Sequence, residues 1–198
     1  FREPLLPLAP MSPGTPPAAP CKSHELRENR HAMGTADAVL TRELAVVGRG
    51  VLLLGPDSAE PGLAAALADA AHTLGWPVIA DPASGLRGDP ALAGVLIEHA
   101  DLLLRAEACA ASLAPELVVR LGGLPTSKAL AQWLAQHDAA RLWLLDPAGG
   151  WRDPTHRAER VLRMSLASFC ASAAEVLIPA APDWLEDWHH CQAATRAA

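Results

Sequence analysis

The densest run of chemistry-bearing residues follows a double glycine: Gly122-Gly123-Leu124-Pro125-Thr126-Ser127-Lys128. Two hydroxyls and an ammonium on a short stretch of backbone suit a carboxylate or phosphate. They suit it better at a helix start, where the first turn leaves N–H groups free to face an anion. The run Gly122-x4-Ser127-Lys128-Ala129 comes near a phosphate loop and departs from it at two places. Ser127 stands where that motif has its second glycine and Ala129 where a hydroxyl would hold magnesium, so an NTPase is not expected. Lys128 reads either as a solvated first-turn residue or as a carboxylate or phosphate contact. Two more polar stretches follow apolar runs: 81–88 (DPASGLRG), with Asp81 and Arg87, and 146–157 (DPAGGWRDPTHR), with Asp153, His156 and Arg157. Asp81 reads as a turn residue capping backbone amides or as one wall of a site. No carboxylate–histidine–nucleophile spacing accompanies His156, and a structural part in its loop is the expectation.

The elements between these stretches must hold them. Leu117-Val118-Val119-Arg120-Leu121 is short and mostly apolar, as a strand covered on both faces of a parallel sheet would be. Gly122-Gly123 turns the chain, and Leu124-Pro125 bars a helix until Thr126, a good N-cap. Leu130, Trp133, Leu134 and His137 then share one helical face, which predicts a helix to about residue 137. With a second buried strand at 142–145, the unit is strand, crossover helix, strand, its strands parallel. Upstream, a helix is predicted from a Thr35 cap to Val47, with Val39, Leu40, Leu44 and Val47 inward. A strand at 51–56 follows, then a helix over 60–74 capped by Asp57 or Ser58 and stopped by Gly75. Next come a strand at 76–80, a helix over 91–99, and a short strand or helix end over 100–105. Downstream, 159–165 is a last strand and 168–177 a helix with Phe169, Ala173 and Leu177 inward, closed by Pro179 and Pro182. A final helix from 183 puts Trp184, Leu185 and Trp188 on one side, read as a docking face for something outside the chain.

The predicted fold class is α/β: a Rossmann-like open parallel sheet of about five or six strands with helices on both faces, over residues 35–180. Residues 1–34, with seven prolines in the first twenty, form an extended linker, and 181–198 a linker or helix leading onward. In such sheets ligands sit beyond the carboxyl ends of the strands, where all three polar stretches fall. A chain of 198 residues holds one core. A net charge of −6 argues against non-specific nucleic-acid binding. No apolar run is long enough for a membrane span and no signal-type segment is present, so a cytoplasmic setting is expected. Cys21, Cys109, Cys170 and Cys191 lack CxxC spacing and read as incidental thiols, not a disulfide frame or zinc site. The dinucleotide fingerprint GxGxxG is absent, as is any paired-carboxylate or metal-ligand spacing. The chain opens without methionine, and its last helix has no evident partner, so a piece of a longer protein is expected.

The combination ADPASGLRG (80–88), RLGGLPTSKALAQWL (120–134) and LDPAGGWRDPTHRA (145–158) strongly resembles the middle domain of the MenD family. These are the menaquinone-pathway thiamin-diphosphate enzymes, 2-succinyl-5-enolpyruvyl-6-hydroxy-3-cyclohexene-1-carboxylate synthases. Phe1-Arg2-Glu3-Pro4-Leu5 is similar to the end of the family's pyrimidine-binding first domain, and the Trp184 helix to the opening of its diphosphate-binding third domain. The resemblance implies a transferase that uses thiamin diphosphate and Mg2+ to decarboxylate 2-oxoglutarate and add the succinyl carbanion equivalent to isochorismate. It implies an activating glutamate in the first domain and a magnesium-holding GDG…N motif in the third. Gly88-Asp89-Pro90 is not GDG, so no catalytic, cofactor or metal residue is expected in this chain, which alone is predicted inactive. The lysine of the family's T-[SG]-K segment, on the isochorismate side, matches Lys128, with Thr126 and Ser127 beside it as candidate substrate contacts. Some members follow that lysine with arginine; this chain has Ala129. Arg157, Asp153 and Arg87 are candidates for a structural or regulatory part. The implied partners are the parent's other domains and a second subunit of a homo-oligomer. The alternatives are a stand-alone nucleotide-binding Rossmann-like module without catalysis, or a purely structural spacer.

Overall fold

A computed structural model describes residues 25–27, 37–56, 58, 62–177, 181 and 183–197. Its centre is a sheet in which the strands Gly50–Leu54, Val78–Ala80 and Leu117–Leu121 are wholly buried, as expected of apolar segments covered on both faces. The strands are β1 (Glu25–Arg27), β2 (Gly50–Leu54), β3 (Val78–Ala80), β4 (Leu117–Leu121), β5 (Arg141–Leu145) and β6 (Arg160–Leu162). They form one sheet in the order β1-β6-β5-β4-β2-β3, every pair parallel. The fold class is as the sequence predicts. β1 falls inside the stretch expected to be a linker; the rest of 1–34, with Pro179 and Pro182, lies outside the described residues.

The helices are α1 (Ala38–Ala45), α2 (Leu63–Leu74), α3 (Ala100–Leu103), α4 (Glu107–Ser112), α5 (Lys128–Gln136), α6 (Leu166–Ala174) and α7 (Trp184–Ala197). The crossovers from β2 to β3 and from β4 to β5 run in opposite lateral directions, so right-handedness sends α2 and α5 to opposite faces. α6 packs with both α1 and α2, whereas α3 packs against α5 and α7. Gly75 ends α2 in the left-handed conformation at φ 69°, as its position predicts.

Several local expectations are corrected. The α1 cap is Asp37, whose carboxylate accepts the amides of Val39 and Leu40; Leu40, Leu44 and Val47 face inward, and Val39 is exposed. Ser58 does not cap α2, whose first flanking residue is Gly62, and Asp57 is outside the described residues. The helix expected over 91–99 is a short 3-10 turn at Pro90–Leu92, then a turn and a single bridge residue at Leu96. Gly94, at φ 89°, breaks the helical path. The Val78 amide then donates to Val95 O (2.8 Å) and the Ile97 amide to Val78 O (2.9 Å), covering the outer edge of β3. Residues 100–103 are helical. Leu177 is exposed because α6 ends at Ala174.

The largest correction concerns α7. Trp184 and Trp188 present no docking face: they are 2% and 0% exposed against the domain's own core. The Trp184 indole N–H donates to Gly50 O at the start of β2 (2.9 Å). Trp188 stands edge-on to Trp133 and Trp184, with ring centroids 5.6 and 5.9 Å apart. Gln192 accepts the His99 amide. No helix among the described residues is long and apolar enough to cross a membrane. Cys109, Cys170 and Cys191 are free, and burial pushes the Cys170 thiol up to about 12.

Replacing Trp188 by alanine should lower the unfolding free energy of the chain by about 3–5 kcal/mol, the cost of emptying a fully buried aromatic site. Urea unfolding measures it, and a loss below ~1 kcal/mol would separate α7 from the core.

Candidate functional site

At the carboxyl ends of the strands, β2 and β4 send the chain off in opposite directions. This is the switch point where a doubly wound sheet usually opens a ligand crevice. Here backbone fills it. The Gly55 amide donates to Leu121 O and the Gly123 amide to Pro56 O, both at 2.8 Å. The Ser58 hydroxyl reaches Gly55 O (2.6 Å) and Leu121 O (3.1 Å). A Cβ on Gly55 would stand 1.8 Å from Gly123 O, and one on Gly122, at φ +70°, would stand 2.4 Å from Pro56 O. Only glycine permits this approach. Beside the closure a cavity of about 270 Å³ remains, bordered by Ser58, Gly122, Asp146 and Arg152.

The hydroxyl-rich stretch before α5 is tied down on both flanks. Ser127, not Thr126, is the N-cap: its Oγ accepts the Leu130 amide (3.1 Å) and donates to Asp101 Oδ1 (2.6 Å). The Thr126 amide and hydroxyl both donate to Asp81 Oδ2, at 2.7 and 2.8 Å. The other oxygen of Asp81 accepts the Ala83 amide (2.9 Å), so Asp81 caps its own turn and also reaches a loop 45 residues away. Lys128 is the first residue of α5, exposed, with no hydrogen bond or ion pair to a described residue.

Electrostatics follow from these bonds. Burial alone would raise the Asp81 pKa, but donors from Thr126 and Ala83, with the Arg87 charge, outweigh it and hold the carboxyl below its ordinary range. The Ser127 hydroxyl does the same for Asp101 against a smaller burial effect, helped by Arg105 and Arg87. Both carboxylates are therefore charged at neutral pH.

The third polar stretch closes on itself. Asp153 is 3% exposed; one oxygen accepts the Thr155 amide and hydroxyl, the other the amides of Arg157 and Ala158. Arg157 donates to Leu134 O (2.6 Å) and His137 O (3.1 Å), satisfying carbonyls at the end of α5. Burial would raise the Asp153 pKa, yet the Thr155, Ala158 and Arg157 donors bring it below normal. The equally buried Arg120 of β4 donates to the Arg152 carbonyl; desolvation lowers its pKa and the Asp153 charge opposes that. Arg87 donates to Glu98 O (2.8 Å). His156 is exposed, at φ 52°.

Thr126, Ser127 and Arg87 thus gather around Asp81 and Asp101, with Lys128 next in the chain, while Asp153 and Arg157 hold a different part of the rim. The sequence reading did not single out Asp101, whose partner is 26 residues away. Arg120 carried a signal: a charge inside an apolar strand needs a buried partner. Among the described residues no three His, Cys, Asp or Glu side chains gather as metal ligands.

Residues 26–196 match the family model described as "Middle domain of thiamine pyrophosphate". The 2-succinyl-5-enolpyruvyl-6-hydroxy-3-cyclohexene-1-carboxylate synthase of Chloroflexus aurantiacus is 35% identical over 192 residues, covering 95% of this chain and 32% of that protein. The synthase of the same name from Geobacillus kaustophilus is 32% identical over 201 residues, covering 100% and 34%. The one from Listeria monocytogenes is 42% identical over 107 residues, covering 54% and 18%. The chain spans about a third of the length of the first two relatives.

Asp153→Asn should cost on the order of 2–3 kcal/mol of stability at neutral pH, because charge-assisted bonds to buried donors are lost. The folded-state pKa of Asp153 lies below its unfolded value of about 3.9, so its contribution is complete above that pH and lost as pH falls through the folded value. Urea unfolding of wild type and variant should therefore converge below about pH 4; a gap that stays constant would contradict the assignment.

Proposed function

The chain belongs to the family of thiamine pyrophosphate enzyme middle domains, and from that premise we propose that it is the central domain of a 2-succinyl-5-enolpyruvyl-6-hydroxy-3-cyclohexene-1-carboxylate synthase. In that reaction thiamin diphosphate supplies the electron sink that turns 2-oxoglutarate into a succinyl carbanion equivalent, which adds to isochorismate. The residues described here do not fit the cofactor or its Mg2+: they gather no metal-ligand trio, and the sequence has no GDG…N pair. Those groups fall to other domains of the parent, and no bond-making step is assigned to this chain.

What this chain contributes is a place for the acceptor. The observation that carries the reading is Lys128, an exposed ammonium without a partner among the described residues, on the first position of a nine-residue helix. Isochorismate is a dianion; the ammonium and the free amides of the helix start both favour negative charge. The hydroxyl hydrogens of Thr126 and Ser127 are donated to Asp81 and Asp101, so direct donation to the acceptor falls to Lys128. Ala129 offers no second cation. Arg157, Asp153 and Arg87 support the rim. A second subunit and the flanking domains complete the active site.

The rival reading, a stand-alone nucleotide-binding module, is opposed by the filled switch point and the missing glycine fingerprint. A dinucleotide would need the space that Gly55 and Gly123 occupy.

In the full-length enzyme, Lys128→Ala should raise KM for isochorismate about 10–100-fold while KM for 2-oxoglutarate changes by less than about twofold, as expected for losing a single charge-assisted contact. Steady-state kinetics with each substrate varied in turn decides it; equal rises would refute the role. Calorimetry of the chain with NAD, FAD and ATP should give no saturable heat, and saturable binding of any one would restore the rival.

A further inference from the structure

The two residues that lead into Lys128 are each held by a carboxylate from elsewhere in the fold. We propose that Asp81 and Asp101 are positioning residues for Lys128, fixing the backbone from which its ammonium meets the acidic acceptor. This rests on the acceptor-site reading above and extends it to two residues that touch no substrate.

The geometry is specific. Asp81 follows β3, is 5% exposed, and takes both polar hydrogens of Thr126 on a single oxygen, while its other oxygen holds its own turn. Asp101 comes from α3; one oxygen takes the Ser127 hydroxyl and the other the Arg105 guanidinium, at 2.9 and 3.1 Å. Residues 124–127 belong to no helix or strand and follow the Gly122-Gly123 bend. Their direction is therefore set by what grips them, and that direction sets where α5 begins. A hydroxyl has one hydrogen to give. With both hydrogens on carboxylates, Thr126 and Ser127 act on an anion only through where they leave Lys128.

Asparagine at position 81 keeps the size of the side chain but replaces one acceptor oxygen by an NH2 group. Either orientation sets that NH2 against a donor, the Thr126 pair or the Ala83 amide. Loosening by a fraction of an ångström is enough to impair a point contact, because binding geometry is steep.

The test uses the full-length enzyme with Asp81→Asn, Lys128→Ala and the double variant, each checked for folding by circular dichroism. We expect Asp81→Asn to raise KM for isochorismate about tenfold with kcat and KM for 2-oxoglutarate nearly unchanged, and to add little in the Lys128→Ala background. Thr126→Ser, which keeps both donors, should behave as wild type. If Lys128→Ala leaves isochorismate unaffected, the acceptor-site reading itself fails. If Lys128→Ala has its effect but Asp81→Asn changes nothing, raises both KM values alike, or adds in full to Lys128→Ala, the positioning role alone is overturned. Should Asp81→Asn not fold, Thr126→Val, which loses only the hydroxyl bond, is judged by the same criteria with an expected rise of about threefold.

Discussion

Where β2 and β4 part company, two stretches of backbone touch more closely than any pair of side chains could. Gly55 lies against Gly123, their amides are spoken for by Pro56 and Leu121 carbonyls, and the Ser58 hydroxyl seals the join. The contact has two effects. It narrows the crevice that a sheet of this winding would otherwise offer a ligand, leaving a cavity of about 270 Å³ beside Ser58 and Gly122, and it ties the two diverging crossovers together. The bend that launches α5 starts from that join. The placement of Lys128 is a consequence of how tightly the glycines close.

The two halves of the rim differ in what remains unsatisfied. Around 146–157, Asp153 and Arg157 meet their needs internally, and the buried Arg120 donates to the Arg152 carbonyl while its Nε is left without a hydrogen bond among the described residues. Two charges deep in the domain are tolerated because each is bonded and each lies in the other's field. Around 81–87 and 124–128, Asp81 and Asp101 also accept several donors, but Lys128, next in the chain after the residues they hold, is exposed to water. Of these residues, Lys128 has no side-chain partner among the described residues.

The sheet was legible from sequence because strands buried on both faces write themselves as short, mostly apolar runs, as at 51–54, 117–121 and 142–145. The rim was legible in part. Asp-Pro after a strand announced the turn at Asp81. What could not be read was a partner 45 residues distant, or that Asp101, which looks like one end of an ordinary i,i+4 pair with Arg105, would hold Ser127 as well. Leu92, Val95 and Leu96 have helical spacing yet line the edge of β3, since period shows which residues are buried before it shows what buries them. Trp184 and Trp188 taught the same lesson: an aromatic stripe is visible in the letters, its occupant is not.

The tryptophan stack has a mechanical meaning. α7 grips the sheet at Gly50, the end remote from the rim, through an indole hydrogen bond, and holds α5 through the edge-on contact of Trp188 with Trp133. A force applied to that helix by whatever adjoins it has no hinge to dissipate in, and travels into β2 as into a handle fixed to a plate. A turn of α7 against a neighbour would then carry α5 and the sheet along with it, so the rim moves with the helix at the opposite end.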